Sequence, residues 1–112
     1  MTDLIEVKTA DLDGEALGWA VGKAEGLDLY LEPPGYNGVP WRVFARHQGQ
    51  AIGHSKRYNP WEDWALGGKL VEKHGTRHMH FSQTPLACLC RGIVNDLLGD
   101  TVQVPKELID AD

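Results

Sequence analysis

Two histidines one residue apart are the first candidates for chemistry in this sequence. His78 and His80 lie in residues 76–82, whose alternating pattern predicts a strand. Because side chains alternate across a strand, both imidazoles would project from one face and could begin a zinc or nickel site, with His74 or His54 as the third ligand. The spacing matches no strong metal motif. Surface histidines without a metal are therefore the favoured interpretation, and a metal-dependent enzyme at His78 and His80 is kept as an alternative.

The cysteines and serines give little support to nucleophilic catalysis. Cys88 and Cys90 lie about 200° apart on a helix, so they cannot bind one ion together, and Cys88 has no histidine at helical spacing to act as its base. The two serines, Ser55 and Ser82, stand outside any Gly-x-Ser-x-Gly turn, and no phosphate-binding glycine loop is present. We therefore expect a protein without enzymatic activity, without a cofactor and without a bound metal.

Aromatic and basic residues are concentrated in the middle of the chain. Of the nine aromatic residues, five lie between residues 33 and 61, a stretch without any acidic residue, and Trp64 follows it. Aromatic rings beside arginines can stack on bases, and they are equally common at the centres of protein interfaces. Three interpretations stay open: internal packing of Trp61 and Trp64 against the first helix, a protein interface, and nucleic-acid binding.

The nucleic-acid interpretation would use a basic hairpin over residues 41–58. The net charge of −5 disfavours the approach of polyphosphate at long range, so nucleic acid is an alternative and not the leading partner. The hairpin residues that would contact nucleic acid are Trp41, Arg42, Phe44, Arg46, Lys56 and Arg57.

The elements that position these residues follow from apolar spacing and capping. The first main helix is predicted over residues 14–25, with Asp13 as its N-cap and Gly26 after its end. The second main helix begins after Thr84, with Pro85 in its first position. Its buried stripe is expected to comprise Leu86, Leu89, Cys90, Ile93, Val94 and Leu97. Strands are expected over residues 4–8, 27–32 and 41–47, with a return strand up to His54 and a last strand at Val102 and Val104.

A shorter helix is predicted between the two main ones. Asn59 is expected to cap it, with Pro60 in its first position and Glu62 reaching back to the cap amide. The Gly67-Gly68 pair is expected to break this helix.

Together these elements predict a single α+β domain over residues 1–112, with a mostly antiparallel sheet and two main helices packed on one face. No apolar run approaches the ~18 residues of a membrane span, and no signal-like N-terminus is present. The closely spaced cysteines fit a reducing compartment. We therefore expect a cytoplasmic protein that does not enter a membrane.

Three segments carry a resemblance to a known family. They are residues 7–26 with Trp19-Ala20-Val21, residues 58–72 with Asp63-Trp64-Ala65 and Gly67-Gly68, and residues 84–105 with Thr84-Pro85-Leu86. In this order they resemble the NinX-like family of small tailed-bacteriophage and prophage proteins. The resemblance implies action in the cytoplasm of a bacterial host, and it carries over no catalytic residue. Residues of about 33–57 are not covered and are interpreted as a basic aromatic insertion.

The leading hypothesis from the sequence is an accessory protein that binds another protein. Trp19 lies on the side of its predicted helix opposite the apolar stripe, so its ring needs cover from a loop, a partner or a ligand. We expect a homo-oligomer or a complex with a host or phage protein. The candidate surface comprises Trp19, Tyr58, Asp63, Trp64, Gly67 and Gly68.

Overall fold

The computed structural model describes residues 3–35, 40–46, 55–76, 78 and 84–109. In these residues the chain forms three α-helices and five β-strands, which confirms the predicted α+β class. In chain order the elements are β1 (Leu4–Lys8), α1 (Gly14–Ala24), β2 (Asp28–Glu32), β3 (Arg42–Arg46), β4 (Ser55–Arg57), α2 (Trp64–His74), α3 (Pro85–Leu98) and β5 (Thr101–Pro105). Each helix among the described residues is too short or too polar to cross a bilayer.

The described strands form two antiparallel sheets where a single sheet was predicted. β1 pairs with β5, so that Ile5 lies opposite Val104. The other sheet has the order β2-β3-β4, with Leu31 opposite Val43. α1 packs against β5 of the first sheet and against β2 and β3 of the second. A helix, and not a strand pairing, therefore joins the two sheets.

α1 and α3 form the centre of the core, and their caps are those predicted. The Asp13 carboxylate accepts from the Gly14 amide at 2.9 Å, and Gly26 follows α1 with a φ of +74° that disfavours other residues. α3 begins at Pro85. The predicted stripe of α3 is buried except for Leu97, which is 50 % exposed because the last turn of α3 extends past the packed core.

α2 differs from its prediction at its start and at the predicted break. Its N-cap is Asp63, whose carboxylate accepts from the Ala65 amide at 2.8 Å, so the predicted start at Asn59 is wrong. The Asn59 carbonyl instead closes a turn by accepting from the amides of Glu62 and Asp63. The helix then continues through the predicted Gly67-Gly68 break to His74. A glycine pair costs helix stability, and the packing described below explains the first of these glycines but not the second.

Two predicted strands fall on residues that are largely outside the described part. The return strand up to His54 lies in residues 47–54, and the next described strand, β4, begins at Ser55. Of the predicted strand over 76–82, only Thr76 and His78 are described, and neither lies in a strand.

Candidate functional site

The exposed side of α2 carries the largest exposed aromatic residue among the described residues. Trp64 is 60 % exposed at the first position of the helix, where the Asp63 cap holds it. Gly68 follows one turn later, about 40° around the helix axis from Trp64. We call this pair the Trp64 face.

Gly68 differs from the other glycines in the interiors of the described helices. A Cβ added to Gly18 would collide with the Trp61 ring, one added to Gly67 would collide with Leu86, and one added to Gly92 would collide with His78. Close packing therefore explains these glycines. A Cβ at Gly68 would meet nothing within 4 Å. Because a glycine inside a helix costs roughly 0.5–1 kcal/mol relative to alanine, Gly68 carries a cost that internal packing does not explain.

Trp19 is covered by its own chain. It is half-buried against the core, and the Lys23 Nζ lies 4.9 Å from the centre of its ring. Trp61 packs against Gly18 of the same helix. Internal packing thus accounts for Trp61 and for most of Trp19, whereas it does not account for Trp64.

The outer side of the three-stranded sheet carries alternating rings and guanidinium groups. Tyr30 and Phe44 lie on neighbouring strands and stack with their ring centres 5.7 Å apart. The Arg46 guanidinium lies 4.3 Å from the Tyr30 ring centre, and that of Arg42 lies 5.7 Å from the Phe44 ring centre. Asp28 forms an ion pair with Arg46 at 3.6 Å. We call this group the hairpin face.

Arg57, which lies opposite Phe44 on β4, is engaged by carboxylates. It forms ion pairs with Glu15 of α1 and with Glu62. Glu15 also accepts a hydrogen bond from the Val43 amide at 2.9 Å. The register of β4 on β3 ends at Phe44, so the Val43 amide lies beyond the paired residues. The Glu15 carboxylate accepts from this amide in place of a longer β4.

A cleft of about 830 Å³ lies between α2 and the three-stranded sheet, and we call it the α2 cleft. Its apolar lining comprises Leu27, Ala45, Tyr58, Ala65, Leu66 and Leu70. Its charged lining comprises the cations Arg46, Arg57, Lys69 and Lys73 and the carboxylates of Glu25 and Asp63. The cleft therefore combines an apolar lining with an excess of positive charge.

Two groups in the α2 cleft have shifted pKa values. Burial by itself would raise the pKa of Glu25, but hydrogen bonds from Lys73 at 3.0 Å and from His74 at 2.8 Å outweigh it and lower that pKa below its usual value. Tyr58 is only 7 % exposed, and burial, with the nearby charge of Glu25, raises its pKa. At neutral pH the cleft therefore presents an ionised Glu25 and a protonated phenol.

The histidine and cysteine candidates do not assemble into a metal site among the described residues. His78 Nε2 lies 2.7 Å from Asp96 Oδ2, and the imidazole packs on Gly92 of α3. His80 lies outside the described part of the chain. Burial raises the pKa of the Cys90 thiol to about 12, as expected for a small apolar core residue. Within the described ranges no group of three potential ligands could hold a metal ion.

Comparison with known proteins identifies the family. A family model described as Bacteriophage P22, NinX matches residues 8–95. The chain belongs to the NinX family. No curated protein matches it. The NinX match contains the whole of α1 and α2 and confirms the resemblance seen in the sequence, so the chain is a phage accessory protein. The match also spans residues 33–57, whose interpretation as an insertion stays a prediction.

In this NinX chain the residues predicted to form one surface are divided between the interior and the exterior. Tyr58 and Gly67 are buried, and Asp63 caps α2, so these three support the fold. Trp64 is exposed, and Gly68, one turn later on the same side of α2, is half-buried. Of the predicted nucleic-acid residues, the hairpin face brings together Arg42, Phe44 and Arg46. Trp41 precedes β3 and is half-buried, and Arg57 forms ion pairs with carboxylates. The side chain of Lys56 lies outside the described part.

Several residues of the NinX chain that line these places were missed at the sequence level. Tyr30 lies in a segment whose alternation is that of a half-buried strand, and the sequence gives no sign that its ring stacks on Phe44. Lys69 and Lys73 of α2 meet Glu25, which follows the end of α1, in the α2 cleft, and Leu27 joins them from the loop before β2. The periodicity of α2 could have placed Lys69 and Lys73 on one side, but only if Gly67-Gly68 had not been taken for a break.

Proposed function

We propose that this phage accessory protein is a non-enzymatic interaction protein that binds a protein partner, either a second copy of itself or a host or phage protein, through the Trp64 face. The observation that carries the proposal is the conjunction of two uncompensated costs one helical turn apart. Trp64 exposes a large aromatic surface to water, and Gly68 weakens the helix without any packing benefit in the described residues.

A partner that covers this side of α2 would compensate both costs. Tryptophan is enriched at the energetic centres of protein interfaces, because its ring buries much apolar area. A glycine beside it leaves the helix backbone open, so a partner side chain can approach closely and pack against the indole. Asp63 and Gly67 contribute indirectly, since the first caps α2 and the second lets α2 approach Leu86 of α3.

The test is a comparison of mass in solution by light scattering coupled to size exclusion, for the wild type and Trp64→Ala. We expect an oligomer that Trp64→Ala dissociates. Trp19→Ala is the matched control: because the Trp19 ring is covered internally, this variant should lose stability and keep its mass.

If the wild type is a monomer, binding to host or phage proteins is tested next. Immobilised wild type and Trp64→Ala would then be compared for capture of proteins from phage-infected host cells. Absence of both self-association and any capture that depends on Trp64 would refute the proposal.

Nucleic-acid binding by the hairpin face is a second candidate function, favoured by the Tyr30–Phe44 stack. Half-exposed aromatic rings on a sheet beside arginines can stack on single-stranded bases. The ion pair of Arg46 with Asp28 and the acidic net charge weaken it. Titration of a labelled single-stranded oligonucleotide at several salt concentrations tests it, since phosphate contacts make the affinity fall steeply with salt.

A further inference from the structure

We propose that the α2 cleft is a separate binding site for a small organic anion that has an apolar, ring-sized body. This site is distinct from the Trp64 face in position and in chemistry. Its ligand would rest its apolar body on the lining of Leu27, Tyr58 and Leu66 and would direct its anionic group towards the cations of the rim.

The shape and lining of the α2 cleft are those of a small-molecule site. Its volume of about 830 Å³ lies within the ~300–1,000 Å³ usual for ligand pockets. Such pockets combine a mostly apolar wall with a few polar groups that set the orientation of the ligand. The lining of the α2 cleft follows this pattern, with Leu66 and Leu70 from α2 facing Leu27 and Ala45 from the sheet side.

One cation of the lining remains available to an anion. Four cations and two carboxylates line the cleft, and the Glu25 carboxylate is already paired with Lys73 and His74. Arg46 and Arg57 also have carboxylate partners. Lys69 is exposed on α2, and no ion pair or hydrogen bond engages it within the described part of the chain. Its ammonium group is therefore available to a bound anion without breaking an existing pair.

Tyr58 adds a neutral hydrogen-bond donor to these cations. Tyr58 lines the cleft, and no hydrogen bond to its hydroxyl is found among the described residues. Because the hydroxyl keeps its proton at neutral pH, it can donate to an anionic oxygen of the ligand. A phenol and an ammonium group beside an apolar wall fit an aromatic phosphate better than a simple inorganic ion.

The geometry of α2 separates this site from the Trp64 face. At about 100° per residue, Lys69 lies about 140° around the helix from Trp64, and Leu66 lies about 160° from it. The two sides of α2 can therefore be altered independently. Failure of the anion site would leave the Trp64 proposal intact, and the reverse also holds.

The experiment is a titration of the full chain with phenyl phosphate and with 1-naphthyl phosphate, followed by amide and side-chain NMR shifts. We expect saturable shifts at Leu27, Tyr58, Leu66 and Lys69. Inorganic phosphate and phenol are the matched controls, since the first lacks the apolar ring and the second lacks the anionic group. Each should bind at least about tenfold more weakly than phenyl phosphate.

Two charge-reversal variants complete the design. Lys69→Glu should lower the affinity for phenyl phosphate by about tenfold or more, since it replaces a charge-assisted contact with repulsion. Lys106→Glu makes the same change of charge at an exposed position outside the cleft and should leave the affinity within about twofold. The spectrum of each variant shows directly whether it is folded.

Three results would overturn the proposal. One is the absence of cleft shifts with both aromatic phosphates up to about 10 mM, a concentration at which even weak specific sites are occupied. Another is equal binding of inorganic phosphate and phenyl phosphate. The last is equal loss of affinity in Lys69→Glu and Lys106→Glu, which would indicate attraction by overall charge alone.

Discussion

The two sides of α2 are built on different principles, although adjacent glycines lie at their boundary. On the buried side, Gly67 lets the helix approach α3, because a Cβ there would come within 2.5 Å of Leu86 Cδ2. On the exposed side, Gly68 faces open space beside Trp64. The same residue type therefore stabilises tertiary packing at one position and only weakens the helix at the next. The comparison shows that a glycine can be interpreted only from what lies opposite it.

The largest effect is expected from Gly67→Ala. Leu86 is buried and cannot swing into solvent, so the added methyl group overpacks the contact between α2 and α3. Overpacking costs roughly 1–3 kcal/mol, only partly offset by the better helix propensity of alanine. Urea denaturation should show a lower midpoint than in the wild type. A midpoint at or above the wild-type value would show that Gly67 does not determine the α2–α3 distance.

A somewhat smaller loss is expected from Asp63→Ala. The variant removes the carboxylate that accepts from the Ala65 amide and caps the helix that carries Trp64. Loss of such a cap costs about 1 kcal/mol. Asp63→Asn should keep most of that stability, because an amide oxygen can also cap. Equal destabilisation by alanine and asparagine in the same denaturation assay would argue against the capping role.

Gly68→Ala separates stability from binding. Alanine at this open helical position should raise the free energy of unfolding by about 0.5–1 kcal/mol. The same methyl group lies beside Trp64 and should weaken the assembly or complex formed through the Trp64 face. Denaturation and light scattering on one sample measure both effects. A more stable variant with unchanged association would remove Gly68 from the interface.

The smallest effect is the pH dependence contributed by Glu25. Its pKa in the folded state is lowered from 4.5, so its stabilising contribution is present above the unfolded pKa and is lost as the pH falls through the folded value. Wild-type stability should decrease as the pH falls below about 4.5, and Glu25→Gln should show a smaller decrease over that range. Thermal unfolding at neutral and acid pH provides the comparison. Parallel curves for the two proteins would mean that the contacts of Glu25 with Lys73 and His74 contribute nothing to folding.

The candidate sites were predicted less completely than the fold, for a physical reason. Trp64 and Gly68 could be singled out because they are unusual residues close together in the chain. Their exposure could not be predicted, because the sequence equally allowed both Trp61 and Trp64 to pack against α1. The α2 cleft could not be predicted, since Leu27 and Lys69 meet there only after α1 and α2 have packed.

Local chemistry by itself determined the α+β class, β1, α1 and α3. Asp13 caps α1, and Pro85 is the first residue of α3. The apolar residues of both helices recur at helical spacing, which is a local signal. Only the tertiary structure decided that α2 continues through Gly67-Gly68 and that α1 joins two separate sheets. The reason is that helix propensity in a glycine pair is weak, about 1 kcal/mol per residue, and contacts such as Gly67 with Leu86 are large enough to override it.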